Sequence, residues 1–171
     1  DGDMTGLHSE YDDIWIVKID AIGNIEWQKA LGGTSSEVVS EIEQTADSGY
    51  VLFGLSNSND GDVSGNFGEL DLWMVKLDAF GNIEWQRNFG GTGEEYVHYI
   101  GLTPDGNPFT VGSTNSHDND VTQNQGGRDA WIVKFKQETL HTNRFEKKSI
   151  EIAPNPATST IAIKFPNSID K

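Results

Sequence analysis

Residues 13–28 read DIWIVKIDAIGNIEWQ, and residues 71–86 repeat them as DLWMVKLDAFGNIEWQ. A third and shorter copy, DAWIVKFK, occupies residues 129–136, so that the first tryptophan of each copy lies 58 residues from the next. The first two copies stay aligned without a gap for a full period. A fixed period of this size is typical of an array of small units that stack on one another.

Each unit contains four short runs with strand character and no run with a helical period. Residues 14–20 carry apolar side chains on both faces, with Trp15 on one face and Ile16 on the other. Such a pattern indicates a strand that is covered on both sides. A lone four-stranded sheet of this kind cannot bury both of its faces, so we expect neighbouring units to cover them.

The predicted fold is all-β, with tandem four-stranded antiparallel units that resemble β-propeller blades. An open β-solenoid and a β-sandwich of two units stay open as alternatives. The predicted units are residues 13–70 and 71–128, followed by a terminal strand at residues 129–136 in the position of a ring-closing strand. Propellers need about four to eight blades, so this array would be partial. DGDMTG at the start resembles DGDVSG at residues 60–65, and residues 1–12 therefore read as the end of a preceding unit.

The charge balance excludes two classes of partner. The formal net charge is -15 and the pI is about 4.4, which disfavours binding to nucleic acid and to anionic membrane surfaces. The chain has no cysteine, which rules out disulfides and thiolate catalysis. No apolar run approaches the roughly 20 residues that span a bilayer, so we expect no membrane insertion.

The repeat pattern stops after the third copy. Residues 137–148 are polar and aperiodic and read as a linker. Residues 149–171 contain Pro154, Asn155 and Pro156, followed by an alternating run around Ile161 and Ile163 that predicts a half-buried strand.

This last segment resembles the opening of the C-terminal sorting domain carried by type IX secretion cargo of Bacteroidota. The resemblance implies a small β-sandwich of which only the N-terminal part is present. It also implies Pro154, Asn155 and Pro156 as part of a sorting signal, the type IX secretion machinery as a partner, and a secreted or cell-surface location. The repeats are similar to arrays found ahead of such tails in bacterial surface proteins, on residues Asp13, Trp15, Val17, Lys18, Asp20, Gly23, Asn24, Trp27, Gly32 and Gly33.

Two sets of residues suggest binding sites. Acidic residues in the polar loop after the fourth strand recur one period later and form a candidate calcium site: Asp60, Asp62, Asp118 and Asp120. The alternative is an Asx-rich turn that bonds its own backbone, since the spacing lacks the final glutamate of an EF-hand. A second set departs from the repeat and is a candidate ligand-binding edge: Tyr96, His98, Tyr99 and Arg128. Here the alternative is drift without function.

Catalysis has little support in the sequence. The four histidines show no metal-ligand spacing, and the glutamates Glu37 and Glu95 recur as structural positions do. We therefore predict a non-enzymatic scaffold or binding module that recognises glycans or other surface polymers. We expect no cofactor other than calcium at the acidic loops. The alternative is a propeller-type hydrolase or lyase acting on polysaccharide, with its catalytic residues in blades outside this sequence.

Overall fold

A computed structural model describes residues 6–8, 10–103, 107–137, 145–149, 152–153 and 162–163. These residues form strands and loops and contain no helix, as the all-β prediction requires. The strands are β1 Ile14–Ile19, β2 Ile25–Leu31, β3 Glu37–Gln44, β4 Tyr50–Ser56, β5 Asp71–Leu77, β6 Ile83–Phe89, β7 Glu95–Leu102, β8 Pro108–Thr114, β9 Asp129–Gln137, β10 Phe145–Ser149, β11 Ile152–Ala153 and β12 Ala162–Ile163. Within this described part, no helix is available that could cross a membrane.

All strand pairs are antiparallel, and each four-stranded sheet crosses the boundary of a predicted sequence unit. One sheet has the order β3-β4-β5-β6, and another has the order β10-β9-β8-β7. The strands β1 and β2 pair with each other, as do β11 and β12. The second half of one unit thus hydrogen-bonds to the first half of the next. The sheets are not closed into barrels within the described residues.

The hairpins between the leading strands are held by an aspartate and an asparagine. Asp20 Oδ1 accepts hydrogen bonds from the backbone amides of Ile22 and Asn24, at 2.9 and 2.8 Å. Gly23 adopts a φ of 92°, a left-handed conformation that glycine enters without steric cost. Asp78 and Asn82 repeat the arrangement between β5 and β6.

Face-to-face packing buries both sides of the two central strands, β4 and β5, of the β3-β4-β5-β6 sheet. One face joins the β1–β2 pair in a core that includes Ile14, Leu52 and Trp73. The other face joins β7 and β9 in a second core, where Phe89 packs edge-on against Phe135 with ring centroids 4.9 Å apart. Neighbouring residues on β4 and β5 alternate between these two cores, which explains why these strands are apolar on both faces.

The end of the array contains a strand that the sequence does not predict. Residues 145–149 fall in the predicted linker and at the first residue of the predicted sorting segment, yet they form β10 and pair with β9 from Phe145↔Gln137 to Ser149↔Val133. The terminal strand predicted at residues 129–136 is present as β9, with β8 on one edge and β10 on the other. Its role in closing a ring stays a prediction.

Candidate functional site

The acidic loops after β4 and β8 are tied back to the preceding turn. The Asp60 carboxylate accepts hydrogen bonds from the Thr34 amide at 2.7 Å and from the Thr34 hydroxyl at 2.8 Å. Asp118 makes the same two bonds with Thr92, at 2.8 and 2.9 Å. These bonds, with the amide contribution the largest, lower the pKa of both carboxyl groups below their ordinary value.

The same loops supply two further acceptors to the same turn. Asn57 Oδ1 and Ser58 Oγ accept hydrogen bonds from the amides of Ser36 and Ser35. One period later, Asn115 and Ser116 take these places and accept from Glu94 and Gly93. Three successive amides of each turn are therefore capped by side chains from one loop. The loops therefore bond to the protein's own backbone, which is the alternative to a metal site given above. The bonded segments lie more than 20 residues apart in sequence.

The other two candidate metal ligands lie deeper. Asp62 Oδ2 is 3.1 Å from His8 Nε2, and the Asp62 amide donates to the Gly32 carbonyl at 2.8 Å. The Asp120 amide donates to Gly90 in the same way, at 2.9 Å. Across the described part of the chain, no three His, Asp or Glu side chains are arranged to hold a metal ion. Calcium binding at these aspartates stays a prediction.

A pair of buried carboxyl groups lies beside Asp120. Asp71 and Glu95 are both fully buried, and a Cβ on Gly90 would collide with Asp71 Oδ1 and Glu95 Oε2, which places these oxygens side by side. Burial raises the pKa of Asp71 to about 7, and Glu95 adds to this increase, although the Phe67 amide opposes it. Asp13 and Glu37 occupy the equivalent positions around Gly32. Sequence analysis identified Glu37 and Glu95 only as recurring positions, because it could not place an aspartate next to them.

Each glutamate of these pairs is also bound to the frame. Glu95 Oε1 accepts a hydrogen bond from the Thr114 hydroxyl at 2.6 Å, and Oε2 accepts one from the Gly91 amide at 3.0 Å. Glu37 does the same with Ser56 and Gly33, at 2.7 and 2.8 Å. The carboxyl pairs therefore connect the double glycine to the end of the fourth strand of each unit.

The non-repeating set gathers partly into one surface. The Arg128 guanidinium lies over the Tyr96 ring at 4.5 Å from its centroid, and its Nη2 atom is 2.6 Å from Glu94 Oε2. His98 Nε2 is 3.4 Å from Ser113 Oγ on the neighbouring strand. Tyr99 is 60% exposed, and its ring lies 5.9 Å from that of Phe109. The sequence marks Arg128 and Tyr96 as candidate ligand-binding residues, but it does not show that their side chains are in contact.

The remaining predicted site falls outside the described residues, since Pro154, Asn155 and Pro156 are not among them. The short pair β11–β12 flanks this segment in sequence. No protein-family model and no curated protein matches the chain. The function must therefore be argued from the residues and contacts described above.

Proposed function

We propose that this chain is a non-catalytic β-repeat scaffold that carries a binding surface for glycans or other surface polymers. The observation that supports it is that repeated and non-repeated residues make different contacts. Repeated polar side chains, such as Asp60 and Asp118, make the same internal hydrogen bonds in both units. The residues that differ between the units, Tyr99 and Arg128 among them, are also exposed, but the contacts of their side chains have no counterpart in the other unit.

The chemistry of this surface suits a sugar polymer. An exposed tyrosine face such as Tyr99 offers an apolar platform with a hydroxyl at its tip, and sugar rings present matching C–H faces. Arg128 and His98 add hydrogen-bond donors for hydroxyl or carboxylate groups on the polymer. Since Arg128 is held by Glu94 and Tyr96, its guanidinium is positioned before a ligand arrives.

A binding test has a control built into the repeat. The full chain is screened on a glycan array, with Tyr99→Ala and Arg128→Ala as test variants. Glu41→Ala serves as the control, because Glu41 stands one period before Tyr99 at the equivalent position of β3. We expect both test variants to lose at least about tenfold in affinity, as loss of an anchoring aromatic or arginine does. Unchanged binding by both test variants and by the control would contradict the proposed surface. Turnover of a bound polysaccharide would contradict the non-catalytic assignment.

We further propose that residues 149–171 direct export through a type IX secretion machinery to the cell surface or medium. Support comes from the Pro154-Asn155-Pro156 segment and its position after the array. The test is to express the chain in a Bacteroidota host and measure its extracellular fraction. A host that lacks the secretion machinery is the control, and equal export in both hosts would contradict the proposal.

A further inference from the structure

The strand that carries the repeated tryptophan has two neighbours in two of its three copies. β5 lies between β4 and β6, and β9 lies between β8 and β10. β1 pairs with β2, and no other described strand occupies its second edge. We propose that this open edge of β1 binds a β-hairpin of the repeat's own type, equivalent to β3–β4.

Exposed apolar side chains mark the face of β1 that a further repeat unit would cover, because the equivalent face of β5 packs against the β1–β2 pair and against Leu52 of its own hairpin. Trp15 is 42% exposed, whereas Trp73, its counterpart one period later, is 1% exposed. Ile19 is 59% exposed, and its counterpart Leu77 is fully buried. These side chains occupy equivalent positions in the repeat, so the difference lies in what surrounds them. An exposed sheet edge with apolar neighbours is a template for pairing with another strand.

The strand register identifies what the incoming strand must present opposite the tryptophan. Gly54 on β4 pairs with Trp73, and Gly112 on β8 pairs with Trp131. A Cβ on Gly54 would lie 2.5 Å from the Val38 carbonyl oxygen, at the irregularity in the β3–β4 register. Glycine is therefore required there by the hairpin itself, and the occupant of the β1 edge is expected to place a glycine opposite Trp15.

Charge adds a second requirement. Lys76 Nζ binds Glu84 and also Asp47, which comes from the turn between β3 and β4, at 3.0 Å each. Its side chain is only 7% exposed. The counterpart Lys18 binds Glu26 at 2.9 Å and is 34% exposed. An incoming hairpin of the same type would bring a second carboxylate to Lys18.

The occupant is a hairpin of a further repeat unit and not a strand borrowed from a folded second copy. In each described four-stranded sheet, the strand that pairs with the tryptophan strand has both edges filled, since β4 lies between β3 and β5 and β8 between β7 and β9. A second copy would have to unfold part of its own sheet to supply one of them. A hairpin that is not already paired meets the geometric and charge requirements without that loss.

The test adds a synthetic peptide with the sequence of residues 37–56 to the full chain. The peptide contains no tryptophan, so intrinsic tryptophan emission reports on the chain alone. We expect the peptide to change the emission of Trp15, because Leu52 of the hairpin would lie beside it as it does beside Trp73, and we expect no change in the Trp15→Phe chain. A peptide with Gly54→Val should not bind, and a peptide with Asp47→Asn should bind about tenfold more weakly, as loss of a charge-assisted hydrogen bond predicts.

A charge exchange tests the register directly. Lys18→Glu in the chain should weaken binding of the unmodified peptide, and Asp47→Lys in the peptide should restore it. Equal binding of the Asp47 and Gly54 variants would overturn the proposal, as would dimerisation of the chain through β1 in place of peptide binding.

The free peptide could fail to bind because it associates with itself. A fusion of the hairpin to the chain separates that outcome from a true lack of binding. Residues 37–59 are placed directly before Asp1, because residues 1–6 resemble residues 60–65 and supply a connection of similar length. Tethering raises the effective concentration of the hairpin. We expect a higher Tm for the fusion and a return to the parent value with Gly54→Val in the fused copy. An unchanged Tm and an unchanged emission spectrum in the fusion would overturn the proposal.

Discussion

The carboxyl group of Asp71 faces that of Glu95 beside Gly90 in the protein interior. Asp71 Oδ1 is buried and accepts no hydrogen bond from an N–H or O–H donor of the described residues, while its Oδ2 atom accepts one from the Phe67 amide. Two ionised carboxylates this close would repel each other strongly, and a proton between them removes the repulsion. The raised pKa assigns this proton to Asp71 up to about neutral pH.

The proton on Asp71 makes stability depend on pH. Burial, together with Glu95 and Asp120, raises the pKa of Asp71 to about 7, above the ordinary value of 3.8. The folded state then binds the proton more tightly than the unfolded chain, so the free energy of unfolding falls as pH rises from about 4 to about 7. The loss should be on the order of 3 kcal/mol. Urea unfolding at a series of pH values measures it.

Asp71→Asn should remove this dependence. The amide keeps an acceptor for the Phe67 N–H and offers Glu95 a donor without a charge, so we expect a flat profile above pH 4. Asp129→Asn is the matched control, because Asp129 stands one period later and accepts a hydrogen bond from the Gln125 amide as Asp71 does from Phe67, while the repeat stops before any counterpart of Glu95. If the parent profile persists in Asp71→Asn, the proton lies elsewhere.

Acid should destabilise the protein through a different group. Hydrogen bonds from Thr45 and Lys76 lower the pKa of Asp47 from 3.8 to about 2. Its contribution is fully present above pH 4 and is lost as pH falls towards 2, the opposite sign to Asp71. We therefore expect maximum stability near pH 4 to 5 and a loss on either side. Asp47→Asn should reduce the loss on the acid side only, and part of that loss should remain because the pKa values of Asp60 and Asp118 are lowered too.

The two copies of the leading tryptophan should differ in their effect on stability. Trp73 lies in a core between two sheets, whereas Trp15 is 42% exposed, although each indole donates to a glutamine in the next strand. Trp73→Ala should lower the free energy of unfolding by about 3–5 kcal/mol, and Trp15→Ala by much less. Urea unfolding followed by far-UV circular dichroism compares the two variants, because this signal does not depend on tryptophan emission. Equal losses would show that Trp15 is buried in solution.

The repeated lysines provide a similar comparison. Lys76 Nζ is buried and donates to Glu84, Asp47 and the Leu77 carbonyl. Lys76→Met should lower the free energy of unfolding by about 1–2 kcal/mol, because it leaves these acceptors without their donor. Lys18→Met should have a smaller effect, since Lys18 pairs with Glu26 at the surface. A larger loss at Lys18 would contradict the comparison.

The strands of the array could be located from the sequence, but their grouping into sheets could not. Alternation of apolar residues shows how many faces of a strand are covered, and it located β4 and β5 as strands covered on both sides. It does not show which strand lies next to which. That choice depends on the loop at residues 57–70, where Asp60 reaches back to Thr34 and Asn66 bonds the Ser56 carbonyl. The alternation of apolar residues carries no information on these contacts, so it could not show that β4 pairs with β5 of the following unit.

β10 was missed for a related reason. Its sequence, FEKKS, has neither a repeat counterpart nor an alternating apolar pattern. Its place in the sheet comes from backbone pairing with β9, which any sequence without proline can make. The Asx alternative for the acidic loops could be stated from the sequence, but the hydrogen-bond donors, Thr34 and Thr92, lie 26 residues away and only the fold brings them together.

Calcium and the acidic loops give the last prediction. Both carboxylate oxygens of Asp60 accept hydrogen bonds from Thr34, and Asp118 is held in the same way by Thr92. A calcium ion would have to compete with these donors. We therefore expect a chelator to leave Tm unchanged, and Asp60→Ala to lower Tm with or without calcium. Asn59→Ala, in the same loop, is the control, because within the described residues its side chain accepts a hydrogen bond from the Gly65 amide of the exposed loop and not from Thr34. A Tm that rises with added calcium in the parent but not in Asp60→Ala would instead establish a calcium site at these aspartates.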